Sequence, residues 1–364
     1  MRNTIGNQVS LTLFGESHGA AIGAVLDGIA AGFAIDTPKI DRLLALRRGE
    51  ESISTTRREA DKVHFLSGVV NGVTTGTPIC LVIENQNTDS KVYDPEMLRP
   101  SHADYCAKIK YNGHQDYRGG GHFSGRITAA LTAAGSIAAQ ILQNKGILVA
   151  SRLKQVHDVS DIPLPQDDLQ QVTQSLADSA FPVLDSSVAQ KMRLVIEEAK
   201  SRGDSVGGVV ETVITGVPAG VGEPWFDSLE SALAKMIFAI PGVKGVSFGG
   251  GFEMCQKYGS EVNDAFCFDK DNNVKTATNF SGGINGGIAN GMPIIMQTGV
   301  KPTPSIFMPQ KSVRLDTMEE VSLQINGRHD PAIVHRALHV INSAAALTVL
   351  DMICMEYGTR WQVE

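Results

Sequence analysis

Apolar and polar positions alternate loosely over residues 8–14, and an apolar run fills residues 22–26. This predicts two strands joined by a turn at Gly15-Glu16-Ser17-His18-Gly19. Side chains on such a turn sit at a sheet end. Ile40, Leu43 and Leu44 then recur at helical spacing behind Thr37-Pro38, predicting a helix with Thr37 as N-cap, Pro38 at N1 and Arg47-Arg48 in its last turn. The helix dipole is a sufficient structural reason for those arginines. Residues 77–83 read as a strand, followed by a polar loop through Asn85, Asp89 and Asp94.

From residue 126 to 142 nearly every position is small or apolar on all faces, which predicts a helix buried between layers. Residues 157–174 are acidic and contain proline, the pattern of a surface excursion. Residues 189–201 and 229–240 read as amphipathic helices, and residues 207–217, 246–252 and 293–300 as strands. A last helix is expected from Pro331 to about Met355. Helices and strands mix without regular alternation, and no repeat, low-complexity tract or linker divides the chain. We therefore expect one α+β domain spanning residues 1–364 rather than two separable ones.

Composition narrows the function. The 364 residues are 42% hydrophobic and 20% charged with a net charge of -7, which opposes wholesale binding to nucleic acid or to a membrane surface. Any basic site must be local. No apolar run reaches the roughly 18 residues of a membrane span, and residues 1–10 lack the apolar core of a signal peptide, so a cytoplasmic location is expected. Cys80, Cys106, Cys255, Cys267 and Cys354 are odd in number and widely spread, without a CxxC pair or zinc-like spacing. They read as free thiols, and no metal site is expected.

Three stretches concentrate histidine, arginine, serine and glycine: the Gly15 to Gly19 turn, Arg118-Gly119-Gly120-Gly121-His122-Phe123-Ser124-Gly125-Arg126, and Gly327-Arg328-His329-Asp330-Pro331. Glycine lets a backbone approach a ligand, arginine offers a planar donor fork to phosphate or carboxylate, and histidine exchanges protons near neutral pH. The combination points to acid–base chemistry on an anion. Adjacent Ser17 and His18 cannot form a Ser–His–Asp arrangement, and there is no GxSxG elbow. His102, in Arg99-Pro100-Ser101-His102-Ala103-Asp104-Tyr105, reads equally as structural or chemical.

The Gly119 to Gly121 run is either an anion-binding concavity of N–H groups or a packing turn. Neither the GxGxxG nor the Walker pattern of nucleotide sites occurs. Gly282-Gly283-Ile284-Asn285-Gly286-Gly287 and Lys301-Pro302-Thr303-Pro304-Ser305 together offer backbone donors, hydroxyls and a lysine to a ligand. Asp330 before Pro331 reads as a helix N-cap, with function an added hypothesis there.

Taken together and in this order, the segments resemble the chorismate synthase family over nearly the whole chain. Gly15-Glu16-Ser17-His18-Gly19 through Asp27-Gly28 is similar to its first signature, Gly121 through Ser124-Gly125-Arg126 and Thr128 to its second, and Arg328-His329-Asp330-Pro331 to its third. Arg99 to Tyr105 and Lys301 to Ser305 are similar too. The resemblance implies a homotetramer whose subunit is a β-α-β sandwich, a central helical layer between two antiparallel sheets. It implies a lyase of the shikimate pathway of aromatic amino acid biosynthesis that converts 5-enolpyruvylshikimate 3-phosphate to chorismate and phosphate. That reaction is a 1,4-anti elimination that requires reduced FMN without net redox change, the flavin lending an electron transiently.

By the same resemblance His18 would protonate the departing phosphate, His102 would stabilise the reduced flavin, and Asp330 would assist proton removal through flavin N5. Ser17, Arg47, Arg48, Arg118 and Arg126 would hold the substrate's phosphate and carboxylates. FMN would contact His122, Phe123, Ser124, Pro241, Gly242, Gly286, Lys301, Pro302, Thr303, Pro304, Ser305 and Arg328.

Several positions depart from the family pattern. His122-Phe123 replaces Arg-Ser or Arg-Ala, Pro241-Gly242 replaces Asn-Ala, Pro304 replaces a serine, and Asn342 replaces a glutamate. Gly49-Glu50-Glu51-Ser52 replaces a proline-glycine segment ending in a basic residue, which bears on any NADP site there. No reductase domain is recognisable, so an external flavin reductase is the expected electron supply. A flavin-dependent oxidoreductase and a non-catalytic glycine-rich scaffold are the competing readings. The first would consume reductant, and the second leaves the histidine, aspartate and arginine motifs unexplained.

Overall fold

The computed structural model describes residues 3–49, 52–54, 59–86, 93–165, 167–177, 179–325 and 329–364. Of the residues singled out above, Glu50, Glu51, Asp89, Gly327 and Arg328 lie outside these. The amino-terminal part forms strands β1 (Thr4–Ile5), β2 (Ser10–Gly15), β3 (Ala21–Asp27), β4 (Val63–Ser67) and β7 (Ile79–Glu84), with a small hairpin of β5 (Val69–Val70) and β6 (Val73–Thr74). The first sheet has the order β1-β2-β3-β7-β4 and every pair is antiparallel. Ile22, Ala24 and Leu26 on β3 and Ile79, Leu81 and Ile83 on β7 are fully buried. This period of two turns one face of the sheet inward.

A second antiparallel sheet, in the order β11-β16-β10-β8-β9, is built from β8 (Leu148–Val156), β9 (Val159–Ser160), β10 (Gly208–Thr215), β11 (Val243–Phe248) and β16 (Ile294–Val300). Between the sheets run α1 (Thr37–Arg48), α3 (Thr128–Asn144) and α8 (Val334–Tyr357). Helix α3 packs on β3 and β7, α8 packs on β8 and β10, and the two helices pack on each other. The result is the expected sandwich. Its close helix contact depends on small residues: a Cβ on Gly135 of α3 would lie 2.5 Å from the Ser343 carbonyl oxygen of α8.

Peripheral elements are α2 (Asp104–Lys110), α4 (Leu169–Ala177), α5 (Ser186–Ser201), α6 (Leu229–Phe238) and α7 (Gly259–Val262). Three further ladders pair β12 (Phe266–Phe268) with β13 (Val274–Thr276), β14 (Ile284–Asn285) with β15 (Ile288–Ala289), and β17 (Gln310–Arg314) with β18 (Glu319–Leu323).

Local differences from the sequence reading have identifiable causes. Asp36, not Thr37, caps α1, because its carboxylate accepts from the Lys39 N–H at 3.2 Å. Helix α8 begins at Val334 after Ile333, so Asp330 is not its N-cap. The Asp330 carboxylate is drawn instead to Arg336. Residues 157–174 contain β9 and the start of α4, an amphipathic helix that buries Thr173 and Leu176. Strand β8 was hidden by Arg152, a 1% exposed guanidinium that its neighbours neutralise. Helix α8 is long and apolar enough to cross a membrane by length and composition, but 89% of that stretch is buried inside the fold. Asn342 ties it to the second sheet through Ser151, whose hydroxyl also pairs with Thr212. All five cysteines are unpaired.

Candidate active site

The first two motifs meet through the backbone. Ser17 and His18 occupy the turn between β2 and β3. The Ser17 N–H donates to the Gly121 carbonyl at 3.0 Å, and His122 Nδ1 donates to the Gly15 carbonyl at 2.8 Å. Gly119, Gly120 and Gly121 all have left-handed φ, at 60°, 81° and 53°. A Cβ on Gly119 would fall 2.4 Å from the His18 ring and 3.0 Å from Ser17 Oγ. The glycine run is therefore first a packing turn that lets the second motif close on His18. Ser17 Oγ is buried and has no hydrogen-bond partner. His18 is 9% exposed and stands edge-on to Tyr93, with ring centroids 5.4 Å apart.

Asn85 locks this turn from the other side. Its Nδ2 donates to the carbonyls of Glu16 at 3.0 Å and Gly19 at 2.9 Å, while its Oδ1 accepts from Arg126 Nε at 2.9 Å. Arg126 also pairs with Asp61 and donates to the Glu84 carbonyl. Arg47, at the end of α1, donates to Thr128 Oγ1 at 3.1 Å and the Gly125 carbonyl at 2.8 Å, with Asp61 at 3.7 Å. Its own carbonyl accepts from Arg336 Nε at 3.1 Å, and Arg336 Nη1 pairs with Asp330.

Burial, followed by the nearby Arg336 charge, pushes the Arg47 guanidinium down to about 9. Among the described residues, three arginines thus face two carboxylates in a largely buried region. The unbalanced charge favours an anion. Arg48 turns away to the Glu59 carbonyl at 2.9 Å, and Arg118 is held by both oxygens of Asp116 at 2.8 Å.

His102 belongs to a second cluster. Its Nδ1 faces the Pro100 carbonyl at 3.0 Å and its Nε2 faces Ser305 Oγ at 2.8 Å. A carbonyl only accepts, so Nδ1 carries the proton and Nε2 receives the Ser305 hydroxyl. Burial, then the charges of Arg99 and, more weakly, Lys301, push His102 down to about 4, so the ring is neutral near pH 7. Lys301 Nζ donates to the Ser101 carbonyl at 3.0 Å, and its N–H donates to Gly242 at 2.9 Å, bringing Pro241-Gly242 to the same place. Gly242 has φ 93°, and a Cβ there would lie 2.9 Å from Ile333.

The Pro302 to Pro304 turn is fixed by Ser205, which donates to the Thr303 carbonyl, and by Gln310, which donates to the Pro304 carbonyl. Thr303 Oγ1, Gln310 Oε1 and His329 Nε2 are buried without hydrogen-bond partners. Ser124 caps the next turn by accepting from the Arg126 N–H, and Phe123 packs edge-on to Tyr111 while 41% exposed. The Gly286 turn makes its contacts elsewhere: Gly287 accepts from the Leu229 N–H at the start of α6.

The two histidine clusters are bridged. Arg99 grips Asp104 at 2.9 and 2.7 Å and lies over the Tyr93 ring at 5.4 Å, while Tyr93 touches His18. Asp61, Tyr93 and Arg336 are not singled out by the sequence, and Asn85 is read there only as part of a polar loop. Asp61 and Arg336 look there like ordinary members of charged or helical stretches, and only the fold brings them to the motifs. A recess of about 100 Å³ lined by residues including Asn7, Phe226, Lys235 and Asp351 contains none of the motif residues.

Comparison with known proteins gives the family. The profile described as "Chorismate synthase" matches residues 9–354. The chain is 46% identical over 354 residues to the chorismate synthase of Methanobrevibacter smithii, covering 96% of each chain. It is 44% identical over 356 residues to that of Dehalococcoides mccartyi, covering 97% of this chain and 96% of the relative. A solved structure described as "Crystal Structure of Chorismate Synthase" superposes with a TM-score of 0.75 at 26% identity, covering 97% of this chain and 94% of the other. The chain belongs to the chorismate synthase family, a family of carbon–oxygen lyases.

Proposed function

We propose that this protein converts 5-enolpyruvylshikimate 3-phosphate to chorismate and inorganic phosphate in a reaction that requires reduced FMN. The observation that carries the reading is the packing of Ser17 and His18 against Gly119, beside arginines that outnumber their carboxylates. A phosphate seated there gains charge-assisted hydrogen bonds from Ser17, Arg47 and Arg126, with Arg48 and Arg118 at the margin. His18 stands where it can give a proton to that phosphate as it leaves, which makes it a better leaving group.

The residues of the second cluster fit a flavin. Buried polar atoms of Thr303, Gln310 and His329 lack partners on the segments that carry Lys301, Ser305 and Asp330, and such atoms are seldom left unmet. His102, Lys301, Pro302, Thr303, Pro304, Ser305, Pro241 and Gly242 would hold FMN, with His122, Phe123, Ser124, Gly286 and Arg328 as further contacts. Reduced FMN, when bound, would supply electron density transiently to the breaking carbon–oxygen bond. His102 takes up a proton more readily once an anion offsets Arg99 and Lys301, and Asp330 would assist removal of the substrate's proton by way of the flavin.

We further infer one catalytic domain over residues 1–364, supported by motifs that converge from both ends of the chain. A homotetramer would cover Trp225 and Phe226, which are 83% and 91% exposed, and Phe266 and Phe268 on β12. A cytoplasmic site in aromatic amino acid biosynthesis suits five unpaired thiols. A separate reductase would supply the electrons, since no nicotinamide-type glycine pattern is present.

The test is an anaerobic assay with purified protein, reduced FMN and the phosphorylated substrate, reading chorismate absorbance and phosphate release together. Equal release of both products is expected with reduced flavin and none with oxidised flavin. Net consumption of reductant in step with product would replace the lyase by an oxidoreductase.

A further inference from the structure

We propose that Arg336 is a positioning residue for this reaction, one side chain that sets both the Asp330 carboxylate and the backbone of the anion-binding Arg47. Arg336 sits in the first turn of α8 and makes two directed contacts. Its Nη1 donates to Asp330 Oδ2 at 2.5 Å, six residues earlier in the third motif. Its Nε donates to the Arg47 carbonyl at 3.1 Å, at the end of α1. A guanidinium is planar and its donors point in fixed directions, so satisfying both contacts at once fixes the relative placement of both partners. A flexible ammonium carries the charge but not this geometry.

The arginine stem is itself held. Gly49, in a left-handed conformation at φ 80°, lies so close that a Cβ would fall 2.9 Å from Arg336 Cγ and 2.5 Å from Ser54 Oγ. The neighbouring His335 pairs with that same Ser54 Oγ through Nε2 at 2.8 Å. Consecutive residues of α8 thus pack against Gly49, at the end of α1, and against Ser54, which holds the stem of the guanidinium in place. The side chains of Arg336 and Asp330 are 21% and 13% exposed, so this pair is not one of the solvated surface pairs that contribute little.

The consequence is a connection between motifs far apart in the chain. Arg47 reaches the second motif through Thr128 and Gly125, and Arg336 joins that arginine to the third motif. The inference rests on the proposed roles of Asp330 in proton removal and of Arg47 in anion binding, and the experiment separates its failure from theirs.

Arg336→Gln and Arg336→Lys would be made alone and with Asp330→Asn, and assayed anaerobically with reduced FMN. Crystal structures of the unsubstituted protein and Arg336→Gln would be solved alongside. Arg336→Gln is expected to lower kcat by about 10- to 100-fold, and to add less than about threefold when Asp330 is already Asn, as for residues acting in one network. Arg336→Gln should also raise KM, because the Arg47 contact is lost, and Arg336→Lys should recover part of kcat while leaving KM above that of the unsubstituted protein. The Asp330 carboxylate should turn away in the Arg336→Gln crystal.

Losses that multiply fully in the double variant would overturn the proposal, as would a loss confined to KM or an unmoved Asp330. If Arg336→Gln does not fold, Arg336→Lys carries the same cycle and crystal comparison. Should the unsubstituted protein make no chorismate, the function fails instead, and the position of Asp330 still decides the structural claim.

Discussion

Two buried ionic clusters in this molecule use the same residue types to different ends. In the second sheet, Arg152 and Lys154 meet Glu211 and Asp161, and the count of charges is even. Asp161 is further saturated by the N–H groups of Leu184 and Asp185. Near the glycine motifs, among the described residues, Arg47, Arg126 and Arg336 pair with Asp61 and Asp330, and Ser17 Oγ has no hydrogen-bond partner there. The first cluster is closed. The second, counted over the described residues, carries more positive than negative charge, which is the arrangement the proposed anion site needs.

The largest effects should come from breaking one arginine in each cluster. Arg152→Gln strands two buried carboxylates and is expected to lower unfolding free energy by about 3–5 kcal/mol, while kcat/KM per folded molecule stays near that of the parent. Arg126→Gln is expected to reduce kcat/KM by about 10²- to 10³-fold per folded molecule, as for loss of a desolvated charge contact. Denaturant titration together with initial rates reads both. An active Arg126→Gln beside an inactive but folded Arg152→Gln would reverse the assignment of the clusters.

A somewhat smaller effect sharpens the comparison through the carboxylates. Asp61→Asn and Asp161→Asn should each destabilise the protein, because each leaves a guanidinium under-compensated. Only in Asp61→Asn can an added anion take the vacated role. Inorganic phosphate at about a hundredfold over its dissociation constant should then restore roughly 2–3 kcal/mol. Chloride at matched ionic strength should not. Equal rescue of both variants, or of neither, would mean that the charge imbalance does not create an anion site.

Much of this was legible in the sequence, and the reasons are local. The central helix showed itself because small and apolar residues fill every face of Thr128–Asn144, and the Ser17-His18 turn because apolar segments flank it. The motifs were visible because glycine, histidine and arginine cluster there without a packing reason. Asp61 and Arg336 were not visible, since a single charge on a loop or helix gains meaning only from the partners the fold gives it, Arg126 for Asp61 and the distant Arg47 carbonyl for Arg336. Strand β8 was missed for a related reason: Arg152 interrupts its apolar pattern, and only Glu211 and Asp161 make such a position tolerable. The Asp330 reading failed because α8 starts later, at Val334, and Asp330 pairs with Arg336 in its first turn instead of capping it.

The smallest predicted effect extends the contrast to histidine. His335 and His339 lie on α8 inside the core, where burial pushes them down to about 3 and about 4, and His102 is held at about 4 by burial and by the Arg99 charge. All three stay neutral in the folded chain where the unfolded chain, with histidines near 6.5, has begun to take up protons. The unfolded state therefore binds more protons between pH 6.5 and about 4, and stability falls as pH falls through that window. The core pair and His102 share this direction but differ in what can relieve it. No ligand reaches His335 or His339, whereas an anion beside Lys301 offsets the positive field on His102 and should raise its proton affinity by about one pH unit. Ring-proton NMR titrations with and without phosphate or FMN would follow the three signals separately. A His102 signal that shifts no more than the His339 signal would place His102 with the structural histidines.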